Sequence, residues 1–156
     1  MLTFVNGNLF NSNCNVLVNA TNKVGIMGGG IALTFKKMFP KMYKEYKNIC
    51  DNNATNKYYN IFCDKRIDNN EQHIIICFHT KYHPSNDSNL NDIDCGLEKL
   101  SNDILAIPGL KDLSYAFPAL GCGLGGLNWQ DVKNLFVKHF SRSEFEKVEI
   151  KVYEPI

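Results

Sequence analysis

VLVNATNKVGIMGGGIALTFKKMF, residues Val16 to Phe39, reads as a strand, a glycine loop and a helix in that order. Val16 to Val18 is a short apolar run, and its β-branched residues suit a pleated, covered surface. Asn19, Thr21 and Asn22 carry side chains that hydrogen-bond turn backbone, which predicts that the strand ends near Asn19. Gly25, Gly28, Gly29 and Gly30 follow, and then Ile31, Phe35, Met38 and Phe39 recur at helical spacing. Strand, glycine loop and helix together present bare backbone N–H groups and a helix N-terminus to an anion. Glycine serves there because a Cβ would hold a ligand away from the main chain. One such loop is equally well a plain tight turn into a helix.

A second loop of the same kind changes the balance. From Leu113 the chain reads LSYAFPALGCGLGGLNW: an apolar strand, then Gly121, Gly123, Gly125 and Gly126, then a helix opening near Asn128. Two loops, each between a strand and a helix, can grip one extended ligand such as a diphosphate from both sides. Gly121 to Gly126 formally satisfies G-x-G-x-x-G, the dinucleotide fingerprint. That fingerprint belongs to the first strand–helix turn of a doubly wound fold, with several further units behind it. Here one helix and one strand remain, so the fingerprint fails on position.

The rest of the chain supplies alternating elements. Leu2 to Val5 is a strand closed by the turn signal Asn6-Gly7-Asn8. Gly30 to Phe39 is a helix, and Pro40, with its preset φ, opens another over Lys41 to Cys50. Lys57 to Asp64 and His73 to His79 are strands, the second an inner one because it is apolar on both faces. Thr80 to Asn89 reads as a polar loop holding Lys81, His83 and Pro84. Ile93, Leu97, Leu100 and Ile104 place a helix over Leu90 to Ile107, ended by Pro108-Gly109. Leu113 to Ala119 is a strand, Trp129 to Phe140 a helix and Val148 to Tyr153 the last strand. Such alternation predicts an α/β sandwich with a mostly parallel sheet. Lys36, Lys37, Lys41, Lys44 and Lys47 form the densest basic run, either a solvated helix face or a phosphate-tracking patch.

Composition sets the bounds. A chain of 156 residues with 44% hydrophobic and 21% charged residues is that of one ordinary globular domain, residues 1 to 156. A formal net charge of +1 excludes a generally basic nucleic-acid coat and leaves room for a local patch. Six cysteines form no C-x-x-C pair and no zinc-like spacing, so no metal or cofactor is expected. Reduced thiols, the absence of a signal-peptide pattern at MLTFVNGNLF and the lack of a span-length apolar run predict a cytoplasmic protein with no membrane partner.

Asn19-Ala20-Thr21-Asn22, Val24-Gly25-Ile26-Met27-Gly28-Gly29-Gly30-Ile31-Ala32 and Phe35-Lys36 together resemble the first ligand loop of macrodomains. Ala119 to Leu127 with Trp129 is similar to their second loop. The V-G-x-M-G-x-G-I-A form looks closest to the branch that holds terminal ADP-ribose glycohydrolase and the DarG antitoxin macrodomain. The resemblance covers essentially the whole chain. It implies a three-layer α/β/α macrodomain with a six-stranded mixed, mostly parallel sheet that binds ADP-ribose. By the same resemblance Gly7, Asn8 and Leu9 meet the adenine. Asn22 and the loop of Gly25, Ile26, Met27, Gly28, Gly30 and Ile31 meet the distal ribose. Leu120, Gly121, Cys122, Gly123, Leu124 and Gly125 hold the diphosphate. The family usually has Asp where this chain has Asn8, though an Asn carbonyl also accepts from an adenine amino group. Gly125 stands where terminal ADP-ribose glycohydrolase has Asp, which argues away from glutamyl-ester chemistry.

Thr80-Lys81 matches a Thr-Lys stretch of that branch, whose lysine acts at the anomeric carbon, so the resemblance makes Lys81 the catalytic residue. The chemistry is sound, because an amine that sheds its proton attacks an anomeric carbon or traps the opened sugar aldehyde as a Schiff base. His79 and His83 flank it as candidate proton shuttles. The resemblance thus implies an ADP-ribosyl glycohydrolase that removes ADP-ribose from thymidine in DNA, with a cognate ADP-ribosyltransferase toxin as a conceivable partner. A non-catalytic ADP-ribose reader, an ADP-ribose 1″-phosphate phosphatase and a protein de-ADP-ribosylase are the alternatives, since fold alone does not choose among them.

Overall fold

Period-two alternation in the inner strands decides how the layers form. Val16 and Val18, Ile76 and Phe78, and Tyr115 and Phe117 enter one buried cluster, while Leu17, Ile75, Cys77 and Ala116 enter another. Each strand is therefore apolar on both faces, and each face needs a helical cover. The computed structural model describes residues 1–156 and supplies both covers. In chain order the elements are β1 (Leu2–Val5), β2 (Val16–Asn22), α1 (Gly30–Met38), α2 (Pro40–Asp51), β3 (Tyr59–Lys65) and β4 (Gln72–Lys81). After them come α3 (Leu90–Ala106), β5 (Tyr115–Phe117), α4 (Trp129–Phe140) and β6 (Ile150–Tyr153). Phe35, Phe39, Met42 and Tyr46 of α1 and α2 pack one face; Ile93, Leu97, Val132 and Phe136 of α3 and α4 pack the other. α3 comes so near the sheet that a Cβ on Gly96 would stand 2.5 Å from the Phe78 ring.

The sheet has the order β1-β6-β5-β2-β4-β3. Five strands run parallel, and only the edge strand β3 runs antiparallel, against β4. This is the mixed, mostly parallel α/β sandwich the alternation predicts. Several boundaries differ from the sequence reading, and three of the differences bear on the site. β2 runs on to Asn22 because β4 continues to pair with it, Asn22 lying opposite Lys81. β4 accordingly ends at Lys81, which is the last residue of a strand and not part of a loop. β5 shrinks to three residues: Pro118, with no N–H to give a ladder, stands at its C-terminal end, and Ser114 before it bonds the Asn15 side chain. No helix is long and apolar enough to cross a membrane.

Candidate active site

The C-terminal ends of all five parallel strands open on one cavity of about 690 Å³, as an open α/β sheet places its site. β1 contributes Gly7 and Leu9. β2 contributes Ala20, Thr21, Asn22 and the loop to Ala32. β4 contributes Thr80 and Lys81, β5 the segment from Pro118 to Gly125, and β6 Tyr153 with the three residues after it.

Asn22 organises the first loop. Its side-chain carbonyl accepts from the backbone N–H groups of Val24, Gly25 and Ile26 at 3.2, 3.0 and 3.2 Å. Its Nδ2 donates to the Ile26 carbonyl at 2.6 Å. From below, the buried Tyr46 phenol of α2 donates to the Asn22 carbonyl at 2.5 Å. The loop then delivers the chain to α1, whose first turn has no side-chain cap and no acidic residue. Gly30, Ile31 and Ala32 of that turn line the cavity, so orphan N–H donors stand beside it.

The second loop is packed from behind by Ser88, whose N–H donates to the Gly125 carbonyl at 3.0 Å. A Cβ on Gly125 would meet the Ser88 hydroxyl oxygen at 2.2 Å, so only glycine fits at that point. Gly121 adopts φ +74, the left-handed region that glycine enters without a steric cost. Gly123 is different: nothing stands within 4 Å of a Cβ there. Cys122 also lines the cavity, and burial pushes its thiol up to about 11, which keeps it protonated at neutral pH.

Lys81 stands between the loops. β4 carries one extra residue opposite the Thr21–Asn22 step, a bulge that breaks the alternation and re-aims the strand end. The Lys81 ammonium donates to the Pro84 carbonyl at 3.1 Å and makes no ion pair with a carboxylate. His79 lies away from this cavity. It is 5% exposed, its Nδ1 facing Tyr46 Oη at 3.1 Å and Thr21 Oγ1 at 3.2 Å. Burial brings its pKa down to about 4, with the Lys23 charge adding to the effect, so the ring stays neutral at physiological pH. His83 is exposed, bonds Ser85 and lines neither this cavity nor the smaller one bordered by Lys23 and Lys57. Neither histidine is placed to carry a proton to or from Lys81 across the main cavity.

Of the expected site residues, the cavity brings together Leu9, Asn22, Ile26, Gly28, Gly30, Ile31, Thr80, Lys81, Gly121, Cys122, Gly123, Leu124 and Gly125. Four lie off its wall. Met27 and Leu120 are buried in the two opposite cores, and Gly25 packs against Lys47 and Cys50 of α2. The Asn8 side chain accepts from the Phe10 N–H at 2.9 Å and caps a short 3-10 turn. Ala119, the first residue of the second loop, lines the cavity as well, whereas Pro118 and the segment Tyr153 to Ile156 lie outside the site as read from sequence. The available signal was the end of the last strand, since every parallel strand of such a sheet delivers its C-terminal residues to one crevice.

The Macro domain family model matches residues 18–136. A Thermus aquaticus protein named DNA ADP-ribosyl glycohydrolase is 37% identical over 100% of this chain, which spans 42% of that protein. A Thermosipho africanus DNA ADP-ribosyl transferase–DNA ADP-ribosyl glycohydrolase fusion protein is 30% identical over 99% of the chain, again 42% of the relative's length. Among solved structures, the macrodomain of Mycobacterium tuberculosis DarG superposes with a TM-score of 0.85 at 34% identity, covering 100% of this chain and 99% of that one. Thermosipho africanus DarTG in complex with ADP-ribose gives 0.83 at 31% identity, over 99% of this chain and 42% of that one.

Proposed function

We infer function from membership: the chain belongs to the macrodomain family. Residues 1–156 act as one macrodomain that binds ADP-ribose and releases it from thymidine in DNA. The chain spans 42% of the length of the curated relatives it matches, so their activity is carried over here as a proposal. The observation that carries it is the Lys81 amine, set in the wall of a cavity whose other walls are two glycine loops. The diphosphate lies against the uncapped start of α1 and the loop from Gly121 to Gly125, where N–H donors are fixed before the ligand arrives. The distal ribose then faces Lys81.

The deprotonated amine attacks the anomeric carbon while the glycosidic C–N bond breaks and its electron pair leaves with the base nitrogen. The proton lost by the amine is balanced by the one the base nitrogen gains. Ring opening of the lysine–sugar adduct gives a Schiff base, and water returns ADP-ribose and the free amine. Asn22 contributes by holding the loop that seats the ribose. A transferase that adds the modification is the natural partner, as the Thermosipho africanus fusion joins both activities. Six unpaired cysteines suit a reducing cytoplasm.

Incubation with an ADP-ribosylated oligonucleotide and with an ADP-ribosylated protein, watching for free ADP-ribose, tests this directly. Release from DNA is expected from the native chain and from neither Lys81→Ala nor Lys81→Arg, because a guanidinium keeps its proton. ADP-ribose affinity in both variants should stay within a few-fold. Near-normal turnover by Lys81→Arg would rule out nucleophilic catalysis, and binding without any turnover would make the protein a reader.

A further inference from the structure

A second, smaller cavity of about 110 Å³ shares Lys81 with the first. Lys81 is common to both cavities; Lys23, Lys57, Tyr58, Tyr82 and Asp92 form the remaining rim, over His79. We propose that a single DNA strand leaving the main cavity past Lys81 lies across this rim, with Lys23 and Lys57 on its phosphates and Tyr82 stacked on a neighbouring base. This deepens the glycohydrolase reading and rests on it.

Three observations carry the assignment. The first is charge: Lys23, Lys57 and Lys81 make no ion pair, and Asp92 is the one carboxylate on the rim. Two charges of excess in so small an area are a local feature, since the whole chain carries a formal +1. The lysine run of α1 and α2 looks different. Lys41 pairs with Glu45, Lys47 pairs with Asp51, Lys36 sits over the Tyr43 ring, and none of the run lines either cavity.

The second is the aromatic content. Tyr82 is 64% exposed, a large ring left in solvent, and Lys57 stands 5.3 Å from the Tyr58 ring centre. Cations interleaved with stacking rings are how proteins track an unpaired strand, because every base offers a π-face and every nucleotide a phosphate. A duplex keeps its bases stacked inside and offers no such face to Tyr82.

The third is registration. The Lys23 N–H donates to the Tyr82 carbonyl at 2.8 Å, one residue past the end of β2 and of β4 respectively. The two rim positions are thereby locked to each other, each directly after one of the paired residues Asn22 and Lys81, the second of which bears the amine. A base held at Lys81 has its own backbone at this rim.

The test compares two substrates: a single-stranded oligonucleotide with one ADP-ribosylated thymidine, and ADP-ribosyl-thymidine as the bare nucleoside. In the double variant Lys23→Ala/Lys57→Ala, KM for the oligonucleotide should rise tenfold or more with kcat within twofold. The slope of log(kcat/KM) against log[salt] should flatten by about 1.4, at roughly 0.7 per phosphate released. Tyr82→Ala should raise the same KM by about tenfold. The nucleoside's kcat/KM and ADP-ribose affinity should be unchanged, and Lys37→Ala/Lys44→Ala should behave as the native chain. Unchanged oligonucleotide KM in the rim variants, equal losses on both substrates, or a loss confined to the Lys37/Lys44 pair would each overturn the proposal. If the native chain released ADP-ribose from neither substrate, the glycohydrolase reading would fail. Anisotropy with the same modified oligonucleotide would then judge the rim alone, the rim variants weakening binding if it is a strand path and leaving it unchanged if not.

Discussion

His79 and Lys81 lie two residues apart on β4 and have opposite surroundings. The bulge at the Thr21–Asn22 step separates them, sending Lys81 to the cavity and leaving His79 against Tyr46, Thr21 and Asn60. Tyr46 donates its proton to the Asn22 carbonyl and Thr21 donates to the Phe78 carbonyl. Both hydroxyl oxygens are thereby left as acceptors toward Nδ1, while Nε2 faces the Asn60 side-chain oxygen at 3.3 Å. The folded chain resists a second proton, since the pKa falls from 6.5 to about 4. Between those values the unfolded chain binds more protons than the folded one. The contribution of His79 is therefore complete above pH 6.5, is lost as pH falls, and levels off below pH 4. From pH 7 to pH 5 the loss should be about 2 kcal/mol. Urea unfolding of the native chain and of His79→Gln at both pH values checks this. The variant should lose less stability on acidification by about that amount, and equal losses would show that His79 does not set the acid limb.

At the scale of elements, the first loop depends on one side chain. Asn22→Ala removes three accepted bonds and one donated bond at once. Amide exchange at Val24, Gly25 and Ile26 should accelerate, and ADP-ribose affinity should fall about tenfold or more, while unfolding free energy drops by roughly 1–3 kcal/mol. Unchanged exchange at those amides would refute the organising role. The loop as an element was legible in the sequence, because glycine spacing between an apolar run and a helical pattern has few other meanings. Most strands and helices were legible for the same local reason: a short continuous apolar run is written into Ile74 to Phe78, and period 3.6 into Ile93 to Ile104. What local pattern does not carry is pairing. That Asn22 lies opposite Lys81 is a property of two strands more than fifty residues apart, so polar residues at both strand ends read as turns. Nor does spacing say which way a loop residue points: Met27 and Leu120 stand next to glycines of the two loops and turn into the two cores. Tyr153 to Ile156 reach the cavity only because β6 inserts between β1 and β5, an order fixed by the sheet as a whole.

At the scale of the molecule, the cavity joins residues from Gly7 to Ile156, delivered by five strands that share only the sheet between them. A ligand that bridges both glycine loops ties these segments together, and whatever binds only the folded chain stabilises it. At a concentration of ADP-ribose one hundred times its dissociation constant, the linkage is worth about 2.7 kcal/mol. For a chain of this size that is a rise of roughly 5–10 °C in Tm. AMP lacks the second phosphate and the distal ribose, so at the same concentration its shift should be under about 2 °C, since a hundredfold weaker ligand is then only half-saturating. Gly123→Val separates ligand from fold. A Cβ at Gly123 meets nothing within 4 Å, so Tm without ligand should stay within about 2 °C, whereas Gly125 has no room for any side chain. The valine would instead occupy space on the cavity wall where a phosphate must approach backbone, and the ADP-ribose shift should vanish. Differential scanning fluorimetry of both proteins with both ligands checks all four expectations. A full shift in Gly123→Val, or equal shifts for AMP and ADP-ribose in the native chain, would mean that the two loops do not grip one diphosphate between them.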